Sequence, residues 1–354
     1  MSESTETPNE IPRLTSLSHG GGCGCKIAPG VLAELLRDTP AAASFADLIV
    51  GRENSDDAAV YRINATQAIV ATTDFFMPIV DDPFDFGRIA ATNALSDIYA
   101  MGARPLFALA IVGMPINVLP REVIREILRG GEAVCAAAGI PIAGGHSIDS
   151  VEPIYGLAAI GLVDPQYVKR NDSARDGDVL VLGKPLGVGI YSAALKKGLL
   201  DADGYRALIA ATTQLNRPGI ELATLDDVHA LTDVTGFGLL GHLLEICRGS
   251  GLAAHIDTAK IPLLPHALAF AQNNVITGAS ARNWQAYGGA IDLSSTLAPV
   301  YRSLLTDPQT SGGLLVACSA SAVTQVIDLF AAAGFAGAAI IGSMKSGSPG
   351  VRVL

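Results

Sequence analysis

The sequence predicts an α/β (α+β) protein of about two domains, and three observations carry that prediction. Its 354 residues are enough for two units at ~150 residues each. It is 49% hydrophobic but only 16% charged, with 38 glycines, a composition that suits Ala-rich helices, tight turns and a large core. Short apolar runs of strand character alternate with longer segments whose apolar residues recur at helical spacing.

Residues 1–18 are expected to be disordered, and the polar, acidic stretch 1–12 has no signal-peptide pattern. Next, Gly20-Gly21-Gly22-Cys23-Gly24-Cys25-Lys26 places two thiols and an ammonium on a glycine-rich tether. Glycine is conformationally permissive, so this tether can swing over a site built elsewhere. Residues 27–36 read as a short helix, and 52–57 as a polar loop. A strand is predicted over 67–73, with Asp74 at its C-terminal end and Phe75 to Pro78 stopping it. Residues 85–101 form a helix with Gly102 at the usual C-cap position. Within it Asn93 and Asp97 are four apart and share a face, and a carboxylate in so apolar a helix is costly unless paired or ligating a metal. Residues 105–112 read as a strand, 121–138 as a helix, 140–143 as a strand running into Gly144-Gly145-His146-Ser147, and 154–163 as a strand.

The charged stretch 164–178 marks a domain boundary. The expected units are a flexible segment 1–26, an N-terminal domain 27–165 and a C-terminal domain 175–354. In the second half, strands are predicted at 179–182, 229–232, 253–256, 314–317 and 338–341. Helices are predicted at 206–215, 219–225, 239–247 and 321–333, with mixed structure over 262–300. Lys184 reads as a turn lysine, and Cys135, Cys247 and Cys318 as core residues.

Composition also excludes some functions. A net charge of −10 argues against general nucleic-acid binding, which relies on basic patches. It still allows a nucleotide if divalent cations bridge it to acidic residues. The 5 cysteines are an odd, scattered set with no disulfide framework, which fits a reducing cytoplasm. No apolar run is long enough to span a bilayer. P-loop and dinucleotide-binding glycine motifs are missing. What remains is a set of carboxylates at element ends: Asp56, Asp57, Asp74, Asp97 and Asp233. Hard oxygen donors suit Mg²⁺, which takes one or two carboxylates together with substrate phosphates. Each loop aspartate, taken alone, also suits a solvated turn. His146, after two glycines, could bring its ring or neighbouring amides to a phosphate, or be a turn histidine.

Seven segments together resemble one family. Ser18-His19-Gly20-Gly21-Gly22-Cys23-Gly24-Cys25-Lys26 is similar to the N-terminal signature of selenophosphate synthetases (selenide, water dikinases). Asp56 to Tyr61, Thr72 to Pro78, Ala91 to Asp97, Gly144 to Ser147, Thr232 to Gly238 and Asp307 to Gly313 follow in the same order. Several of these are shared with the wider aminoimidazole ribonucleotide synthetase-like superfamily, whereas Cys-Gly-Cys-Lys is specific to the selenium enzymes. The resemblance implies a two-domain fold of mixed sheets flanked by helices. It implies that ATP, selenide and water give selenophosphate, phosphate and AMP, which supplies selenium for selenocysteine and selenium-modified tRNA. It further implies Asp57, Asp97 and Asp233 as Mg²⁺ ligands. The implied ATP contacts are Lys26, Asn54, Ser55, Asp56, Asp74, Asp97, Gly145, His146 and Ser147. Cys23 and Lys26 are the implied catalytic positions, and Lys26 could lower the Cys23 pKa. A homodimer with nucleotide near its interface is implied as well. Two other readings remain open from the residues themselves: a kinase or synthetase for another small substrate, and a non-catalytic thiol or metal-binding protein.

Overall fold

The computed structural model describes residues 12–27, 31, 34–35, 45–51 and 55–354. Asn54 lies outside the described residues, as does most of the helix predicted over 27–36.

The first half builds a six-stranded sheet. Its strands are β1 (Leu48–Val50), β2 (Ala59–Arg62), β3 (Ala68–Phe76), β4 (Arg104–Met114), β5 (Ile142–Asp149) and β6 (Ile154–Val163). They run in the order β1-β2-β3-β6-β4-β5, antiparallel except for the parallel pair β4/β5. Helices α1 (Pro83–Ala100) and α2 (Arg121–Ala138) cover one face. Asp82 caps α1 by accepting from Asp85 N, and Gly102 just beyond its end adopts φ +74. The two helices approach closely: a Cβ on Gly87 would lie 1.9 Å from Ile127 O, and one on Gly130 would lie 2.1 Å from Phe84 O.

The second half builds a seven-stranded sheet from β7 (Val179–Leu182), β8 (Val228–Asp233), β9 (Ala253–Ile256), β10 (Ile291–Leu293), β11 (Leu314–Cys318), β12 (Ala339–Lys345) and β13 (Gly350–Val353), in the order β10-β13-β9-β12-β7-β11-β8. Its helices are α3 (Val188–Lys196), α4 (Ala202–Thr213), α5 (Pro218–Ala223), α6 (Gly238–Ser250), α7 (Ala267–Gln272), α8 (Gly278–Tyr287), α9 (Val300–Leu305) and α10 (Val323–Ala332). The halves are not packed independently. Val188 and Tyr191 of α3 and Leu208 of α4 belong to the same apolar core as Phe86, Leu95 and Ile98 of α1.

Several expectations need correction. Strand β3 runs on through Phe76, so Asp74 sits inside it, paired with Leu157 of β6, rather than beyond its end. Aromatic residues fit a pleated strand as well as they fit a stop. Gly144 to Ser147 are not a loop but the middle of edge strand β5. Residues 12–18 are ordered rather than disordered. Leu14 is 1% exposed, and Thr15 donates through its N and Oγ1 to Asp81 Oδ1 at 2.9 and 2.6 Å. Lys184 is not a turn lysine in solvent but is 2% exposed. Strands β1, β2, β10 and β13 were not foreseen; at three or four residues each, they are too short to show an alternation.

Candidate active site

The site begins with a match between two periodicities. On β3, Thr72 and Asp74 are two residues apart, so both point to the helix-covered face. On α1, Asn93 and Asp97 are four apart and point back at them. Thr72 Oγ1 donates to Asp97 Oδ2 at 2.6 Å, and Asn93 Nδ2 donates to Asp74 Oδ2 at 2.5 Å. One strand and one helix thus hold two carboxylates at adjacent levels.

Two more carboxylates reach the same place from elsewhere. Asp233 ends β8, and Asp57 lies just before β2. Thr232 Oγ1 donates to Asp57 Oδ1 at 2.9 Å, which ties these two segments together. Asp57, Asp97 and Asp233 each offer an oxygen, all within 4.8 Å of one another. Asp57 Oδ2 and Asp233 Oδ2 are buried without a hydrogen-bond partner. The carboxyls of Asp57 and Asp97 are pushed well above the ordinary carboxylate range, first by burial and then by Asp233. Asp233 is raised too, chiefly by burial, against hydrogen bonding from Ser96. Such a cluster is unfavourable by itself, and its oxygen-only donors and orphaned lone pairs suit a hard divalent cation.

The glycine tether is docked beside this cluster. Gly22 N donates to Met77 O at 2.8 Å, Cys23 N to Thr310 Oγ1 at 3.0 Å, and His19 N to Glu152 Oε1 at 2.8 Å. Gly22 has φ +53, and a Cβ there would lie 2.3 Å from Thr310 Oγ1, so no other residue fits without displacement. Cys23 is 1% exposed and its Sγ donates to Asn93 Oδ1 at 3.1 Å. Lys26 Nζ lies 3.5 Å from Asp74 Oδ2. Lys26 was expected to lower the Cys23 pKa. It does pull downward, but burial outweighs it and leaves the thiol well above its usual value. In this docked state Cys23 is a protonated donor. Cys25, half-buried, is raised as well, also by burial.

Asn93 joins the parts. Its Oδ1 accepts from Cys23 Sγ and, at 2.7 Å, from Ser311 N, while its Nδ2 holds Asp74. Ser311, at φ +51, is fastened by Oγ donating to Ile89 O at 3.0 Å and by its own carbonyl, which accepts from Lys184 Nζ at 2.8 Å. The sequence marks Asn93 by its shared face with Asp97 and by the segment Ala91 to Asp97, and gives no role to Thr310, Ser311 or Lys184. The segment Asp307 to Gly313 was the available signal for the first two; nothing local marks Lys184.

The remaining expected residues lie elsewhere. Asp56 Oδ1 accepts from Asn171 N at 2.7 Å, and Ser55 O accepts from Asn171 Nδ2 at 3.0 Å. Gly145, His146 and Ser147 line a groove of about 210 Å³ on edge strand β5. That groove shares no lining residue with the carboxylate cluster.

Comparison with known proteins adds an independent line. The N-terminal domain of AIR synthase related proteins matches residues 55–163, and the C-terminal domain of the same family matches residues 175–353. A selenide, water dikinase of Burkholderia ambifaria is 69% identical over 353 residues, covering 100% of both chains. One of Pseudomonas straminea is 69% identical over 343 residues, covering 97% of this chain and 96% of its own. Among solved structures, a thiamine-monophosphate kinase from Stenotrophomonas maltophilia superposes with a TM-score of 0.64 at 24% identity, covering 91% of this chain and 93% of its own. That last likeness speaks for the fold alone.

Proposed function

We propose a division of labour for this chain, which belongs to the AIR synthase related family and, within it, to the selenide, water dikinases. The chain is a phosphotransferase that makes selenophosphate from selenide, ATP and water, releasing phosphate and AMP. Asp57, Asp97 and Asp233 hold Mg²⁺, supported by their converging oxygens and the two unpartnered buried lone pairs. Bound there, Mg²⁺ would offset the charge of the ATP phosphates, a main requirement of phosphoryl transfer. Lys26 adds a positive charge for the phosphates, and Asp74 fixes its position. Asn93 orients Cys23 and keeps its proton in place while the segment is docked. Cys23 meets the selenium, its thiol able to offer the anion a hydrogen-bond donor. The docked segment keeps water from the first transfer. The observation that carries this reading is the burial of Cys23 against Asn93, whose other end holds Asp74.

Asn54, Ser55, Asp56, Gly145, His146 and Ser147 complete the nucleotide contacts in our reading, which takes the chain to act as a homodimer with the nucleotide near its interface. Pairing aligns Phe75, Gly156, Ile111 and His146 in one row across the sheet, on the face opposite α1 and α2. Phe75 (49%) and Ile148 (57%) are exposed there. Strand β5 offers a bare edge that a homodimer would cover. We take 1–26, 27–165 and 175–354 as the functional units. We place the protein in the cytoplasm, where its five free thiols would persist.

The test is anaerobic incubation with ATP, Mg²⁺ and selenide, followed by phosphorus NMR. AMP together with a selenium-bonded phosphorus is the expected result; intact ATP would overturn the assignment.

A further inference from the structure

A cavity of about 350 Å³ opens on the outer side of the docked segment and shares no residue with the three carboxylates. At roughly 30 Å³ per water it is large enough for a hydrated anion. Gly21 and Gly24 form part of its wall, one on either side of the Cys23 region. Lys196 and Lys197, at the end of α3, and Arg282 of α8 line it, and no carboxylate does. Among the described residues none of these three cations is in an ion pair. In a chain of net charge −10, that makes a local reversal of sign.

The cavity also leads toward the thiol. Arg282 Nη2 donates to Gly24 O at 2.9 Å, which fixes a guanidinium one residue from Cys23. A crevice of about 10 Å³ shares Gly24, Ala279 and Arg282 with the cavity, and Cys23 and Lys26 line it as well. Cations therefore stand in succession between the cavity and the thiol: Lys196 and Lys197 at the cavity, Arg282 at both cavity and crevice, Lys26 beside Cys23. The first turn of α8, a ten-residue helix beginning at Gly278 and capped by Thr277 Oγ1 accepting from Ser280 N, adds its partial positive charge.

We propose that this cavity collects the anionic selenium substrate and delivers it to Cys23 from the side away from the nucleotide. The proposal rests on the assignment of selenide as a substrate. Selenide is an anion at neutral pH. Approaching past Asp57, Asp97 and Asp233 it meets three carboxylates before any cation binds; approaching through the cavity it meets three cations in a lining that holds no carboxylate, with Glu152 set behind His19. Such focusing raises association rates by about 10- to 1000-fold, and the gain falls with ionic strength. Separate routes also let the polyanionic nucleotide and the selenium anion enter without crossing one field.

The experiment uses the full chain and a triple variant, Lys196→Gln with Lys197→Gln and Arg282→Gln, with selenide and ATP varied separately under anaerobic conditions. In the triple variant, kcat/KM for selenide should fall about tenfold or more, and its decline with added KCl should flatten. Its kcat and KM for ATP should stay within about twofold. Arg282→Lys alone should retain most of the selenide kcat/KM. An unchanged selenide kcat/KM, or an equal rise in the KM for ATP, overturns the proposal. A second readout needs no selenium chemistry: the labelling of Cys23 by iodoacetate relative to iodoacetamide, located by peptide mass spectrometry. The ratio should drop in the triple variant, and an equal ratio counts against the cavity. If the wild-type protein makes no selenophosphate, the substrate assignment fails, while the labelling ratio still judges the anion path.

Discussion

Replacing Asp57 with asparagine should remove most of the stabilisation that Mg²⁺ confers while leaving the cation-free protein at least as stable. The amide oxygen can still accept from Thr232 Oγ1, so the tie between the β2 and β8 segments survives. The amide nitrogen takes the place of Asp57 Oδ2, a buried oxygen with no donor. One of three mutually repelling charges is removed, so the cation-free melting temperature should hold or rise. For the wild-type protein, Mg²⁺ at a hundred times its dissociation constant contributes about 2.7 kcal/mol. At about 2 °C per kcal/mol for a chain of this size, that is a rise of about 5 °C. Loss of outer-sphere partners alone weakens metal sites by about 10- to 100-fold, and a direct ligand should matter at least as much. For a 100-fold loss, the variant at the same Mg²⁺ concentration gains about 0.4 kcal/mol, or under about 1 °C. Differential scanning fluorimetry with Mg²⁺ varied at fixed non-hydrolysable ATP analogue reads both quantities. A full wild-type shift in Asp57→Asn would refute the carboxylate cluster as the metal site.

Four further outcomes are expected. Cys23→Ser should abolish selenophosphate formation by phosphorus NMR with the melting temperature within about 2 °C; full activity would remove Cys23 from the chemistry. Gly22→Ala should undock the segment, because its φ is +53 and a Cβ would sit 2.3 Å from Thr310 Oγ1. Faster tryptic cleavage at Lys26 would report this, and a wild-type digestion rate would contradict it. Lys184 is held down to about 7 from 10.5 by burial, so between those pH values the unfolded chain binds more protons than the folded one. Wild-type stability therefore gains an increment as pH rises through that window, and Lys184→Met should lose it; parallel wild-type and variant curves of denaturation midpoint against pH would contradict this. Ile148→Lys, on the bare edge strand, should shift light-scattering mass toward the monomer, whereas an unaltered dimer would place the interface elsewhere.

Much of the scaffold was legible locally. The bounds of α2 and of β6, β7 and β9 follow from periodicity and turn residues alone, because those signals act over a few residues. The C-cap of α1 was legible at Gly102 for the same reason. Short edge strands such as β10 and β13 were not, since pairing partners rather than side-chain pattern define them. Nor was the strand character of Gly144 to Ser147, where β4 supplies the hydrogen bonds that glycine propensity argues against.

The sequence by itself determined which chemistry the chain carries. Its aspartates, its Cys-Gly-Cys-Lys segment and their order carried the resemblance to the selenophosphate synthetases, while the residues taken alone left two other readings open. Only the tertiary structure decided how those groups act on one another. Asp57, Asp97 and Asp233 come from three separate elements and meet only when both sheets are assembled. Asn93 joins the thiol to Asp74 because a helix and a strand happen to be in register. Lys26 lies three positions from Cys23, yet burial sets the thiol's protonation against it. The reason is that desolvation depends on every atom enclosing a group, most of which are distant in the chain, whereas propensity and spacing depend only on near neighbours.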